Sequence, residues 1–401
     1  MNHSEHLPYW RLSGFYFFFF ASLGAFLPYW GLYLQSVGLS AVQIGGLMAV
    51  LQGSKLIAPN FWGWISDRYG QRVRLIRWSA GLALLIFALV GLSEEFLWIA
   101  LVMLLFGVFW NAMLPQFEAV TFSFLAGSQA SYSRIRLWGS VGFVVTVLCL
   151  GSLLEHYPLR GLPMMVCLIL FGIWLVSLSV PEVIPQNQTN PSAPKPLSEV
   201  FGRYPRLFAF FAVCLLLQAS HGPYYVFFSI YLEQFSYSKV EIGLLWALGV
   251  IAEIAVFYWM QSLVNRVTWQ QVLLVSLSLT VLRWLLTGWM VEHLWVLLMS
   301  QLLHAASFGA FHVAAIHLVD HYFRGSQQGR GQALYSSVSF GAGGLLGGLG
   351  SGLLWDAWGP QWLFTIAAGV SLVALILVWK WSVAIDVATV TIHDKDFSEL
   401  E

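Results

Sequence analysis

Apolar residues run along this chain in long unbroken blocks, interrupted at short intervals by small clusters of Gly, Pro and charged residues. A helix needs about 20 apolar residues to cross the hydrocarbon core of a bilayer. On that measure the blocks predict twelve spanning helices, at roughly 9–35, 41–66, 73–92, 97–124, 136–155, 161–180, 206–232, 239–263, 270–290, 295–319, 332–354 and 361–384. The first opens with Tyr9-Trp10-Arg11 and has no small-residue cleavage site after a short apolar core, which predicts a retained helix rather than a signal peptide. One stretch breaks the series. Residues 181–205 carry Pro181, Pro185, Pro191, Pro194, Pro196 and Pro205 among polar neighbours and read as a long linker. The expected organisation is all-α: a six-helix bundle at 1–180, the linker at 181–205, a second six-helix bundle at 206–384 and a tail at 385–401.

The second half repeats the first. At an offset of 198 residues, Tyr33-Leu34, Ser40, Val42, Ile44-Gly45 and Leu47 fall on Tyr231-Leu232, Ser238, Val240, Ile242-Gly243 and Leu245. At an offset of 197, Ser140-Val141, Phe143 and Gly151 fall on Ser337-Val338, Phe340 and Gly348. An apolar unit used twice is the pattern of membrane transporters whose halves rock around a central site.

Composition agrees. The chain is 58% hydrophobic and 9% charged, where an ordinary soluble domain has about 25% charged residues. Its net charge is zero, so nothing basic points to nucleic acid. Cys149, Cys167 and Cys214 lie inside apolar blocks and suggest neither a disulfide framework nor a zinc site. His317 and His321 have i,i+4 spacing but lack a third ligand, so no metal is expected, nor any cofactor. There is no nucleophile–base arrangement, no H-E-x-x-H and no nucleotide loop, which argues against an enzyme. Basic residues cluster in alternate loops, 14 on one side against 2 (Arg160 and Lys239) on the other, while Glu94-Glu95, Glu155, Glu292 and Asp356 mark the opposite loops. Because positive loops stay cytoplasmic, both termini and the linker are expected in the cytoplasm, with the chain in a bacterial inner membrane, as a monomer.

Six ionisable residues fall within or at the edge of the apolar blocks: Lys55, Glu118, Arg136, Glu253, Arg283 and His304. Each costs about 3 kcal/mol or more in hydrocarbon unless paired or hydrated, so each is a candidate functional group. Lys55 and Arg136 can also be read as snorkelling side chains, and Glu253 with Arg283 as a structural ion pair. Three permanent cations stand against two carboxylates, a balance that an anionic substrate would complete. Aromatic residues make up 16% of the chain. The Phe15 to Phe20 run is expected to face lipid, while Tyr29, Trp30, Tyr224, Tyr225 and Trp246 are candidates for the walls of a site. Pro28 and Pro223 recur in the first helix of each half, where they free backbone groups and permit bending.

The loop after the second block reads Gly63-Trp64-Ile65-Ser66-Asp67-Arg68-Tyr69-Gly70-Gln71-Arg72. It resembles the signature of the major facilitator superfamily, which implies a gating role for Gly63, Asp67, Arg68, Gly70 and Arg72; Gln71 departs from the pattern. The order of Glu118, Arg136-Leu137-Trp138-Gly139-Ser140-Val141-Gly142, Glu253, Arg283 and His304 resembles the oligosaccharide:proton symporter family, that of the lactose permease. That resemblance implies substrate contacts for Glu118 and Arg136 and proton coupling for Glu253, Arg283 and His304. Gln301 and Ser307 stand where that family has a lysine and a proton-carrying glutamate. Over nearly the whole length, Arg136–Val141, Gly249-Val250-Ile251-Ala252-Glu253, Arg283-Trp284 and the histidine-rich tenth block resemble the phenylpropionate permease group. This implies proton-coupled uptake of an aromatic carboxylate. Taken with the readings above, Glu118, Arg136, Lys55, Tyr29, Tyr225 and Trp246 are the residues expected around the substrate. A symporter or exporter of sugars, nucleosides or other small solutes shares the fold and stays open at this point.

Overall fold

The computed structural model describes residues 7–125, 129–182, 196–263 and 266–383. All regular structure among them is helical. The long apolar helices are α1 (Tyr9–Ser36), α2 (Ala41–Ser66), α3 (Arg72–Leu92), α4 (Phe96–Leu125), α5 (Tyr132–His156), α6 (Leu159–Ser179), α7 (Leu207–Gln234), α8 (Lys239–Met260), α9 (Trp269–Trp289) and α10 (Leu294–Tyr322). A final stretch, Gln328–Lys380, is turned at Gly359, whose φ of +79° precedes Pro360. Proline excludes the α conformation from the residue before it, so this stretch makes two helices, α11 (328–358) and α12 (360–380). All twelve expected spans are thereby present. Part of the 181–205 linker, and the tail from 384 on, lie outside the described residues; within the linker a short helix, Leu197–Arg203, follows Pro196.

The chain forms two compact units. One holds the described residues up to Glu182 together with Gly222–Ala247 and Gly344–Ala357; the other holds those from Pro196 to His221, Leu248–Gly343, and those from Trp358 on.

Aromatic stacking builds the core of the first unit. Phe15 lies face to face with Phe117 at 3.7 Å between ring centroids, and Phe19 with Trp110 at 5.2 Å. Phe26 packs against Phe87 and Phe106. Leu12, Phe15, Tyr16 and Phe19 are all buried, which is the i, i+3, i+4, i+7 stripe of a helix facing protein. The expectation that the Phe15 to Phe20 run faces lipid is therefore corrected for Phe15 and Phe19: stacking partners on α4 draw that stripe inward.

Two helices here are irregular where proline predicts it. In α1 a π-helical turn, Phe26–Trp30, encloses Pro28. In α2 a 3₁₀ turn, Ser54–Leu56, separates two α segments, and Pro59 sits in the first turn of the second. Proline has no N–H to give the carbonyl four residues back, here that of Lys55, so Lys55 lies at a break in the helix. The second of these segments, Ala58–Tyr69, runs on past α2 and is capped by Gly70, whose φ of +64° is a left-handed conformation that a side chain would strain. After that turn, Glu182 accepts a hydrogen bond from Val73 N at 3.1 Å, and Arg77 donates to the carbonyls of Ser177 and Val180, tying α3 to the end of α6.

In the second unit, Leu207, Phe210 and Cys214 of α7 pack with Leu277 of α9 and with Phe311 and Ala315 of α10 in one apolar cluster. Two further π-helical turns occur, Ala305–Ala310 in α10 and Ser337–Gly343 in α11. Such turns rotate the face a helix presents and are common at functional positions. The first begins directly after His304.

Candidate functional site

Two polar clusters, the first half-buried and the second more deeply buried, contain five of the six intramembrane ionisable residues. The first lies in the first unit, at the meeting of α1, α4 and α5. Tyr132 and Arg136, one turn apart, lie on a helix that begins at Gln129, so Arg136 stands two turns inside the helix rather than at its start as expected. The Tyr132 hydroxyl donates to Glu118 Oε1 at 3.4 Å, and its ring stacks on Phe122 at 4.4 Å. The guanidinium of Arg136 lies over the ring of Phe20 at 3.8 Å and within 5.6 Å of Tyr16. Arg136 and Glu118 are within electrostatic reach of each other. Tyr16 bonds Thr121 on α4. Gly139 makes room for this: a Cβ there would lie 2.8 Å from Phe20 Cδ2 and 2.9 Å from Arg136 Nη1. A guanidinium held by one face on an aromatic ring keeps its donor edge available for a planar carboxylate.

The second cluster belongs to the second unit. Arg283 on α9 has no exposed surface. Its Nε donates to the Ser300 carbonyl at 3.0 Å, and its Nη1 to Ser307 Oγ at 3.0 Å and to His304 Nδ1 at 2.9 Å. Thr287 and Ser300 share a hydroxyl–hydroxyl bond of 2.6 Å. Guanidinium nitrogens only donate, so Nδ1 of His304 is the acceptor and the imidazole proton resides on Nε2. That nitrogen lies 3.7 Å from Glu253 Oε2. Arg283 thus fixes the tautomer that directs His304 towards Glu253, and the imidazole relays between the two residues expected from sequence to pair. Ser307 accepts from Arg283 at the position where the sugar symporters carry glutamate. His221 donates from Nδ1 to the Leu217 carbonyl at 2.9 Å and packs edge-on against Trp284.

The remaining sequence-predicted residues lie elsewhere in the first unit. Lys55 occupies the break in α2 beside Ser54, which accepts from Asn111 at 2.7 Å. Tyr29, expected at the substrate, is fully buried and its hydroxyl is shared between the carbonyls of Val147 on α5, at 2.7 Å, and Lys239 on α8, at 3.3 Å. Trp246 donates to Ser229 at 3.0 Å and stands within an aromatic group with Tyr224 and Tyr225. Around Tyr29, at the end bearing Glu155 and Asp356, helix backbones touch. Cβ atoms on Gly151 and Gly243 would lie 2.8 and 2.6 Å from the Tyr29 hydroxyl, and one on Gly45 would lie 2.6 Å from Gly352 Cα. Lys239 N also donates to Glu155 at 2.8 Å. At this end of the first unit the helices are therefore in backbone contact. In the loop motif, Arg68 lies near the ring of Trp64, and Gly63 faces Gln116 on α4; the Asp67 side chain lies outside the described residues.

Sequence reasoning missed Tyr16, Tyr132, Ser300 and Thr287. Neutral hydroxyls cost little in a helix bundle and raise no flag, although the i,i+4 spacing of Tyr132 and Arg136 was available as a signal.

Twelve helices long and apolar enough to cross a bilayer, built from a duplicated unit, fit a transporter of the major facilitator type. The chain belongs to the MFS_1 like family, whose model matches residues 9–366. It is 32% identical over 360 residues to a probable 3-phenylpropionic acid transporter of Escherichia coli (strain K12), covering 86% of this chain and 93% of that one. It is 24% identical to the maltose permease of Geobacillus stearothermophilus over 373 residues, covering 91% and 93%. Among solved structures, the nucleoside transporter NupG superposes with a TM-score of 0.80 over 93% of this chain and 98% of that one, at 17% identity. A bacterial homologue of the human lysosomal transporter Spinster gives 0.68 at 15% identity, covering 94% and 97%.

Proposed function

We propose that this transporter carries out proton-coupled uptake of an aromatic carboxylate such as 3-phenylpropionate by alternating access, in a bacterial inner membrane with both termini cytoplasmic. The observation that carries this reading is the Arg136 guanidinium, held over the ring of Phe20 at 3.8 Å inside the first cluster. The 32% identical relative with that printed substrate supports it. In this reading the 1–180 and 206–384 halves rock about a central site, and the protein acts as a monomer. Arg136 grips the substrate carboxylate, with Lys55 the second cation of the same unit. A fork of donors matches a carboxylate in a way a lysine ammonium does not.

Coupling runs through Glu253. Ionised, its carboxylate attracts the Nε2 side of His304 across 3.7 Å, and His304 in turn accepts from Arg283. Protonated, it loses that electrostatic attraction and permits reorientation. Each net charge carried inward adds about 2.3 kcal/mol per 100 mV of membrane potential.

Two variants in proteoliposomes test the assignment. Glu253→Gln, with the shape of the protonated acid, abolishes accumulation against a gradient but retains exchange of internal for external substrate. Arg136→Ala abolishes binding. Uphill accumulation by the first variant would remove the coupling role, and normal binding by the second would remove the anchor.

A further inference from the structure

Glu118 and Arg136 balance each other in the first cluster, and that balance has a consequence for the substrate proposed above, on which this inference rests. The titratable groups that act on Glu118 are Arg136 and Tyr132 of α5, with Tyr16 of α1 beside them. A substrate carboxylate arriving at Arg136 brings a second anion to one cation. Two carboxylates cannot both stay ionised in a half-buried site that holds one counter-charge.

We propose that Glu118 is a proton-binding residue loaded by the substrate itself: the substrate carboxylate takes the Arg136 guanidinium, and Glu118 takes up one proton from solution. The cluster is neutral before, with the guanidinium and the Glu118 carboxylate, and neutral afterwards, with the guanidinium, the substrate carboxylate and a Glu118 carboxylic acid. No covalent bond other than the new O–H forms. Tyr132, which donates to Glu118 at 3.4 Å, has a hydroxyl that can equally accept from the protonated acid. Substrate binding and proton binding then become obligatorily linked in the first unit, independently of Glu253 in the second.

The test is proton uptake on binding. Purified protein in lightly buffered detergent solution is mixed with 3-phenylpropionate, and protons taken up are read with a pH indicator beside calorimetric affinity. The wild type takes up about one proton per substrate, and its affinity falls about tenfold per pH unit on the alkaline side. Glu118→Gln binds with no proton uptake and no such pH slope, because the amide has the shape of the protonated acid. Uptake that persists in Glu118→Gln overturns the proposal. Loss of all binding in Glu118→Gln also counts against it, since it would mark the charge of Glu118 as required. No binding by the wild type would overturn the aromatic-acid reading and this inference with it, an outcome distinct from the others.

Discussion

Adding one methyl group at Gly45 should part the helix contact at that end of the first unit, whereas the same change at Gly46 should not. A Cβ on Gly45 would sit 2.6 Å from Gly352 Cα and 2.7 Å from Gly348 O, where ordinary contacts are 3.4 to 4 Å. The obstacles are backbone atoms of α11, so no rotamer change relieves them, and the helices must part by about 1 Å. Overpacking of this kind costs about 1–3 kcal/mol, charged only to the closed arrangement, which lowers its population ratio by about 5- to 150-fold. Gly46 has nothing within 4 Å of its Cβ position. Both changes raise helix propensity by about 1 kcal/mol, so that effect cancels in the comparison. The assay is a spin-label distance between Val42 on α2 and Leu353 on α11, both exposed beside the contact. Wild type and Gly46→Ala give one short distance, and Gly45→Ala adds a longer population with slower transport. Identical distributions for Gly45→Ala and Gly46→Ala would refute the contact.

Tyr29→Phe removes a buried bond to the Val147 carbonyl, worth about 1 kcal/mol, and shifts the same label pair in the same direction by less. Gly139→Ala drives a methyl into Phe20 and Arg136; loss of the ring–guanidinium contact, worth about 0.5–2 kcal/mol, weakens 3-phenylpropionate affinity measured by calorimetry. Arg283→Lys keeps the charge but not the fork that reaches Ser300, Ser307 and His304 together. It lowers the melting temperature in detergent, because a buried group left unsatisfied costs about 1–3 kcal/mol, and it abolishes uphill transport.

The twelve crossings were legible in the spacing of apolar blocks, because a bilayer sets one length for every span. The residue pairs Tyr33 with Tyr231 and Gly45 with Gly243 exposed the duplication. Lys55, Glu118, Arg136, Glu253, Arg283 and His304 stood out because charge in an apolar block is expensive. Their partners did not. That His304 stands between Glu253 and Arg283 depends on three helices meeting, and that Phe15 faces Phe117 rather than lipid depends on how α1 is rotated against α4. The π-helical turns at Phe26–Trp30 and Ala305–Ala310 rotate the faces beyond them, which no 3.6-residue count anticipates. That the hydroxyl of Tyr29 is shared between backbone carbonyls on two other helices was equally out of reach of a sequence pattern.

Uptake of labelled 3-phenylpropionate into proteoliposomes under an imposed inward proton gradient, with and without a protonophore, tests the central claim most directly. The account predicts accumulation above the external concentration that collapses when the protonophore is added. Folded protein that accumulates none, or that accumulates it equally with the protonophore present, would contradict it.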